Sequence, residues 1–218
     1  ASPRTSQVIR VNPHSTAPPA PHSVVGVVIA GGRSVRFGGE KAVAQLGGQA
    51  LLLWAAQRLR RSCAAVAVNT RPGTATEALA HAARLPVLHD LPGDATGPLA
   101  GVRAGLLWAQ SLNARALAVS PCDAPLLPDE LFERLIGAAG DGAAMAATPD
   151  GRQPLCALWP LKALPTVAAA LENGAHPPTW SVLENLGAVQ VYFEDANAFA
   201  NLNTPADLAA LAARLPTS

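Results

Sequence analysis

The sequence predicts an α/β layer structure with a mostly parallel sheet, on three observations. Short apolar runs rich in valine and alanine recur along the 218 residues, and helical stretches separate them. The runs read as continuous apolar segments rather than alternating ones, as strands buried on both faces do. Loops carrying glycine, proline and polar residues follow the runs, which is where open α/β sheets bind ligands.

The elements follow in order. The first strand, residues 24–30, is a β-branched run stopped by the double glycine Gly31-Gly32. A helix is expected over 51–61, a strand over 64–69, a helix over 74–84 and a short strand at 87–88. After a loop fixed by glycines and prolines comes a helix over 99–110, then a strand over 116–120, a helix over 129–139 and strands over 143–147 and 156–159. Helices over 164–173 and 179–186, a strand over 188–193 and a helix over 206–214 complete the pattern. The last start is signposted: Thr204, Pro205 and Asp207 read as an N-cap, a proline in the first turn and an acidic first turn.

Half of the residues are hydrophobic, enough for one domain over 23–218 with a substantial core, and a division into two is not required. Net charge is +1 with no long basic run, so neither nucleic acid nor an anionic membrane is the expected partner. No apolar stretch approaches the roughly 20 residues that cross a bilayer. Cys63, Cys122 and Cys156 lie far apart without Cys-x-x-Cys spacing, which argues against a zinc ribbon or a disulfide framework and favours a reducing cytoplasm. Residues 1–22 are rich in proline, serine and threonine and lack the layout of a secretory signal. They are expected to be a disordered leader, with an arm docking on a partner subunit as the alternative.

The most telling segment is residues 24–41, VVGVVIAGGRSVRFGGEK. A strand that delivers a glycine-rich, cationic loop suits a polyphosphate, because backbone N–H groups and fixed positive charges can converge on the same oxygens. The spacing excludes a Walker A loop, since Glu40 separates Gly39 from Lys41 and Ala42 follows where a hydroxyl would be needed. It also excludes Gly-x-Gly-x-x-Gly. Lys41 is one of two lysines beside fourteen arginines, so its place at the end of this loop is distinctive.

Three further loops carry polar chemistry. Residues 90–101 fix a tight path into a helix, either as a plain turn or as a backbone wall against a base or ribose, with Asp90 available for a hydroxyl. In residues 120–125, Asp123 emerges at a strand end between Pro121 and Pro125, which hold one carboxylate still. Magnesium bound with a nucleotide takes only one or two protein carboxylates, so Asp123 is the expected ligand. Cys122 is expected to be a buried small hydrophobe rather than a nucleophile. In residues 201–208, Asn201 and Asn203 are spaced to share one side of an extended segment and offer amides to an acceptor substrate or to the metal shell.

With these residues in view, the chain from about Val24 to Leu215 resembles the MobA-type molybdenum cofactor guanylyltransferases of the nucleotidyltransferase superfamily. Ala30-Gly31-Gly32, Arg36, Gly38 and Lys41 match that family's first motif. Gly97-Pro98-Leu99-Ala100-Gly101 matches the second, Pro121-Cys122-Asp123 the third, and Asn201-Leu202-Asn203-Thr204-Pro205 the last. The resemblance implies a Rossmann-like three-layer sandwich of the nucleotide-diphospho-sugar transferase kind, with one antiparallel strand at 156–159. It implies GMP transfer from GTP, with magnesium, to molybdenum-molybdopterin. A molybdopterin-delivery protein or client molybdoenzyme would be a partner.

By the same resemblance, Ala30, Gly31, Gly32 and Asn69 bind the nucleotide, with Asp90 and Gly101 near the base or ribose. Arg36 and Lys41 hold the phosphates, Asp123 the metal, and Asn201 and Asn203 the acceptor side. The chain departs from the family pattern at Glu40, commonly aspartate, and at residues 175–181, where relatives place arginine or lysine and this chain has His176. Attack by an ionised phosphate needs no general base, so catalysis reduces to positioning and charge neutralisation. The alternatives are cytidylyl transfer to the same cofactor, nucleotidyl transfer to a sugar or alcohol phosphate, and a nucleotide-binding regulator without turnover.

Overall fold

In the computed structural model, which describes residues 23–32 and 37–213, the first apolar run becomes β1 (Val24–Ile29), an interior strand of a seven-stranded sheet. The expected leader, Arg36 and Arg214 lie outside the described residues. Along the chain follow β2 (Gln45–Leu46), β3 (Gln49–Ala50), α1 (Leu51–Arg60), β4 (Val66–Asn69), α2 (Ala75–Ala82) and β5 (Val87–Leu88). Next come α3 (Pro98–Ser111), β6 (Ala116–Pro121), α4 (Leu131–Ala139), β7 (Ala144–Thr148) and β8 (Gly151–Pro160). The chain continues through α5 (Leu164–Ala170), α6 (Thr179–Asn185), β9 (Val189–Tyr192) and α7 (Pro205–Ala212).

Strand order in the large sheet is β5-β4-β1-β6-β8-β7-β9. β1 pairs in parallel with β4 on one side and β6 on the other, and β8 runs antiparallel to both β6 and β7. The expected reversed strand is therefore present and longer than expected, because residues 151–155 extend it beyond its apolar part. The winding changes direction on either side of β1, and this is the switch point at which such sheets open a ligand crevice.

The period of two in β1 divides the core. Val24 and Val28 face a cluster with Leu52, Leu59 and Phe132, while Val25 and Val27 face one with Leu99, Leu106 and Trp159. Gly26 lets α1 approach closely, since a Cβ there would fall 3.1 Å from Leu59 and 3.2 Å from the Cys63 sulfur.

Two features were not expected. β2 and β3 form a small antiparallel hairpin just after Lys41. Its Leu46 packs with Leu51, Leu202 and Leu211, and Trp54 Nε1 donates to the Leu46 carbonyl at 3.1 Å, so the hairpin is tied to α7. In β8 the register shifts: Met145 pairs with Ala157 but Ala146 with Gln153, leaving Pro154, Leu155 and Cys156 as a bulge. The helix expected over 164–173 stops at Ala170 and is followed by a 3-10 turn, Glu172–Gly174, ending in a glycine with φ of 70°. Among the described residues no helix is long and apolar enough to cross a membrane.

Candidate active site

The carboxyl ends of four strands and the amino-terminal half of the reversed strand β8 meet in one cleft of about 430 Å³. β1 delivers Ala30, Gly31 and Gly32, β4 delivers Asn69, Thr70 and Arg71, and β5 leads to Asp90. β6 ends in Pro121 with Cys122 and Asp123 beyond it, and the β8 bulge adds Leu155. The volume is that of a small-molecule site. Of the expected site residues, Ala30, Gly31, Gly32, Lys41, Asn69, Asp90 and Asp123 line this one space. Arg36 lies outside the described residues.

Lys41 opens a 3-10 turn, Lys41–Val43, and is only 8% exposed. Its Nζ lies 2.9 Å from Asp123 Oδ2 and 3.5 Å from Asn203 Oδ1. The Leu202 N–H donates to the Asp123 carbonyl at 2.8 Å, fastening the last loop to the end of β6. An ammonium and a carboxylate so placed are held by contacts from three distant parts of the chain. A buried charge of this kind needs its partner.

Glu40 explains why Lys41 points into the cleft. Its carboxylate accepts from the N–H groups of Ala75 (3.0 Å) and Thr76 (2.7 Å) and from Thr76 Oγ1 (2.6 Å) at the start of α2. Burial works to raise the pKa of Glu40. The hydrogen bonds of Thr76 and Ala75 and the charge of Arg71 outweigh it, so the group sits below its ordinary value of 4.5. The sequence shows Glu40 only as a departure from the family's usual aspartate and hides this clamp, because its partners lie 35 and 36 residues away.

Asn69 is 2% exposed and donates through Nδ2 to Asp90 Oδ1 at 3.0 Å and to the Leu88 carbonyl at 3.4 Å. Gly101 was expected near the base or ribose, but it is buried beneath Asn69. A Cβ at Gly101 would fall 2.4 Å from Asn69 Oδ1, so the glycine makes room for the amide rather than lining the cleft.

Asn203 faces Lys41, and its Nδ2 donates to the Asn201 carbonyl at 3.4 Å. Asn201 is exposed, its recorded contact is through that carbonyl, and neither asparagine lines the cleft. The expected N-cap is present: Thr204 and Asp207 form a capping box on α7. Cys122 is half-buried and lines the cleft. Burial first, and the Asp123 charge next, push its thiol up to about 12, so it is no nucleophile near neutral pH. The His176 ring lies against Gly97 at the start of α3, and a Cβ on that glycine would fall 1.9 Å from the ring.

Among the described residues no cluster of three or more histidine, cysteine or acidic side chains could hold a metal unaided. The one carboxylate at the β6 end, with Lys41 on Oδ2, instead fits a hard cation that arrives with phosphate oxygens as its other ligands.

The sequence profile of the MobA-like NTP transferase domain matches residues 26–190. A molybdenum cofactor guanylyltransferase of Cereibacter sphaeroides is 40% identical over 186 residues, covering 84% of this chain and 93% of its own. The molybdenum cofactor guanylyltransferase of Rhodobacter capsulatus is 37% identical over 195 residues, covering 88% and 96%. Among solved structures, molybdopterin-guanine dinucleotide biosynthesis protein A of Archaeoglobus fulgidus superposes with a TM-score of 0.69 at 23% identity, over 87% of this chain and 97% of that one. A 4-diphosphocytidyl-2C-methyl-D-erythritol synthase of Anaerococcus prevotii gives 0.69 at 13% identity, over 88% and 96%. At these identities the structural likeness speaks for a common fold.

Proposed function

Because the chain belongs to the molybdenum cofactor guanylyltransferase family of MobA-like NTP transferases, we propose that it transfers GMP from GTP to the phosphate of molybdenum-molybdopterin, yielding the guanine dinucleotide cofactor and pyrophosphate. The observation that supports this reading best is the Lys41–Asp123 contact of 2.9 Å at the edge of the glycine-walled cleft. A fixed cation beside a carboxylate suited to a metal supports the reading that a triphosphate lies along Gly31 and Gly32 with its oxygens toward this pair.

In the proposed reaction an ionised oxygen of the acceptor's phosphate monoester attacks the α-phosphorus of GTP. One P–O bond forms, the bond to the β-phosphate oxygen breaks, and pyrophosphate leaves with the electron pair. The nucleophile is already deprotonated, so the residues position and neutralise rather than move a proton. Backbone N–H groups of Gly31 and Gly32 bind the nucleotide, and Asn69 with Asp90 holds its nucleoside end. Lys41 and Arg36 offset the charge that gathers on the phosphates. Asp123 would hold magnesium, which supplies further positive charge against the phosphate oxygens. Asn203, beside Lys41, serves the acceptor side with Asn201 behind it.

We place this work in the cytoplasm, a setting consistent with the three free cysteines. Receipt of the pterin from a delivery protein, or hand-over of the product to a client molybdoenzyme, belongs to the same reading. Incubation with magnesium, molybdenum-loaded pterin and either GTP or CTP, followed by mass analysis, tests it. The guanine dinucleotide with released pyrophosphate is expected. A product formed preferentially from CTP, or tight GTP binding without any product, overturns it.

A further inference from the structure

In the guanylyl-transfer reading Lys41 serves phosphate and Asp123 serves a metal, yet the two side chains are each other's partners. Lys41 Nζ lies 2.9 Å from Asp123 Oδ2, with the side chains 10% and 22% exposed. The ammonium is held in place from both ends. At the backbone, Glu40 is clamped to α2 by Ala75 and Thr76, and the Ala44 N–H donates to the Lys41 carbonyl at 3.0 Å. At the tip, Asn203 Oδ1 lies 3.5 Å from Nζ. Asp123 is fixed as well, because the Leu202 N–H donates to its carbonyl at 2.8 Å.

A divalent cation coming to Asp123 by itself would meet this fixed positive charge. On Oδ2 it would have to displace the ammonium. On Oδ1 it would stand one carboxylate away from it, in a largely buried place where like charges are poorly screened. Phosphate changes the balance, because its oxygens accept from the ammonium, free Oδ2 and set negative charge between the two cations. The same oxygens complete the shell of a hard cation that takes few protein ligands.

We propose that Lys41 latches Asp123 against a bare metal ion and that the triphosphate opens the latch, so that metal and nucleotide bind as a pair rather than independently. The proposal rests on the reading of this cleft as a nucleotide and metal site. The coupling is reciprocal: the factor by which nucleotide raises metal affinity is the factor by which metal raises nucleotide affinity, and such factors run from about 5 to 150. Lys41 thus has a task besides neutralising phosphate, which is to decide when Asp123 accepts a cation.

The test titrates manganese, as a paramagnetic stand-in for magnesium, into the full chain without nucleotide and follows the free ion by electron paramagnetic resonance. Lys41→Met keeps much of the stem and removes the charge. It should bind manganese about tenfold or more tighter than the parent, and adding Asp123→Asn should abolish the gain. Misfolding does not produce a gain of this kind. An equal manganese Kd in the parent and in Lys41→Met overturns the proposal, as does a gain that survives Asp123→Asn.

The parent alone supplies a second measurement, which stands even if Lys41→Met does not fold. The chain has two lysines, so labelling lysine Cε with carbon-13 gives two signals, one from Lys41 and one from the exposed Lys162. Magnesium alone should leave the Lys41 signal in place, GTP with magnesium should move it, and Lys162 should respond to neither. A Lys41 signal that magnesium alone moves as far as GTP with magnesium does overturns the latch. If the latch is found but the parent makes no guanine dinucleotide, the latch stands and the guanylyl-transfer reading falls. If the dinucleotide forms and Lys41→Met gains no manganese affinity, the reverse holds.

Discussion

Asn69 donates through Nδ2 to Asp90 Oδ1 at 3.0 Å, joining the ends of the adjacent strands β4 and β5. The bond spends the amide donor on the protein itself. It leaves the second Asp90 oxygen and the cleft-facing backbone to meet a ligand.

That bond depends on space beneath it. Gly101→Ala brings a methyl group to 2.4 Å from Asn69 Oδ1 unless the amide moves. Displacing a buried polar pair costs on the order of 1–3 kcal/mol, so KM for GTP should rise roughly tenfold or more while the acceptor KM changes little. Steady-state kinetics with each substrate varied in turn checks this.

Lys41→Ala should lower turnover by on the order of a hundredfold or more under saturating GTP, as removal of one fixed electrostatic donor does. A parent-like rate would remove Lys41 from the chemistry. Circular dichroism of the variant separates lost catalysis from lost fold, since Asp123 then has no ammonium beside it.

Acidification should destabilise the protein through Glu40 and Asp207. Both carboxylates sit below their ordinary values of 4.5 and 3.8. For Glu40, burial opposes the shift but the Thr76 and Ala75 hydrogen bonds prevail. For Asp207 the backbone N–H groups of Asn203 and Thr204 lead. A depressed folded pKa contributes stability that is full above the unfolded value and is lost as pH falls through the folded one. The thermal midpoint should therefore drop below about pH 4.5, and Glu40→Gln should flatten that limb of the profile. A midpoint that falls equally in the parent and in Glu40→Gln would show that the clamp contributes nothing.

Asp94, with a side chain 4% exposed, meets Arg103 of α3 at 2.5 Å and anchors the loop that carries Asp90 and Gly97. Arg103→Ala strands a buried carboxylate and should cost roughly 3–5 kcal/mol. Asp94→Asn with Arg103→Met should recover most of that. Urea unfolding of the single and double variants measures the difference.

The sequence exposed those parts of the site whose physics is local. β1 announces itself by an apolar run that a glycine pair stops, and Asp123 by a strand end beside proline. The hairpin of β2 and β3 escaped because strands of two residues carry no readable period. The β8 bulge escaped because a bulge is defined by its partner strand, and nothing in Pro154, Leu155 or Cys156 names Ala146. Glu40 and Gly101 were seen as motif letters. Their work, clamping α2 and seating Asn69, depends on contacts across more than thirty residues of chain.

The fastening of Leu202 to Asp123, with Asn203 beside Lys41 and α7 packed on the hairpin, has a consequence for biosynthesis. As the polypeptide leaves the ribosome, the sheet strands from β1 to β9 emerge before the loop that closes over Lys41. Nucleotide affinity should therefore mature only after residue 211 has cleared the exit tunnel.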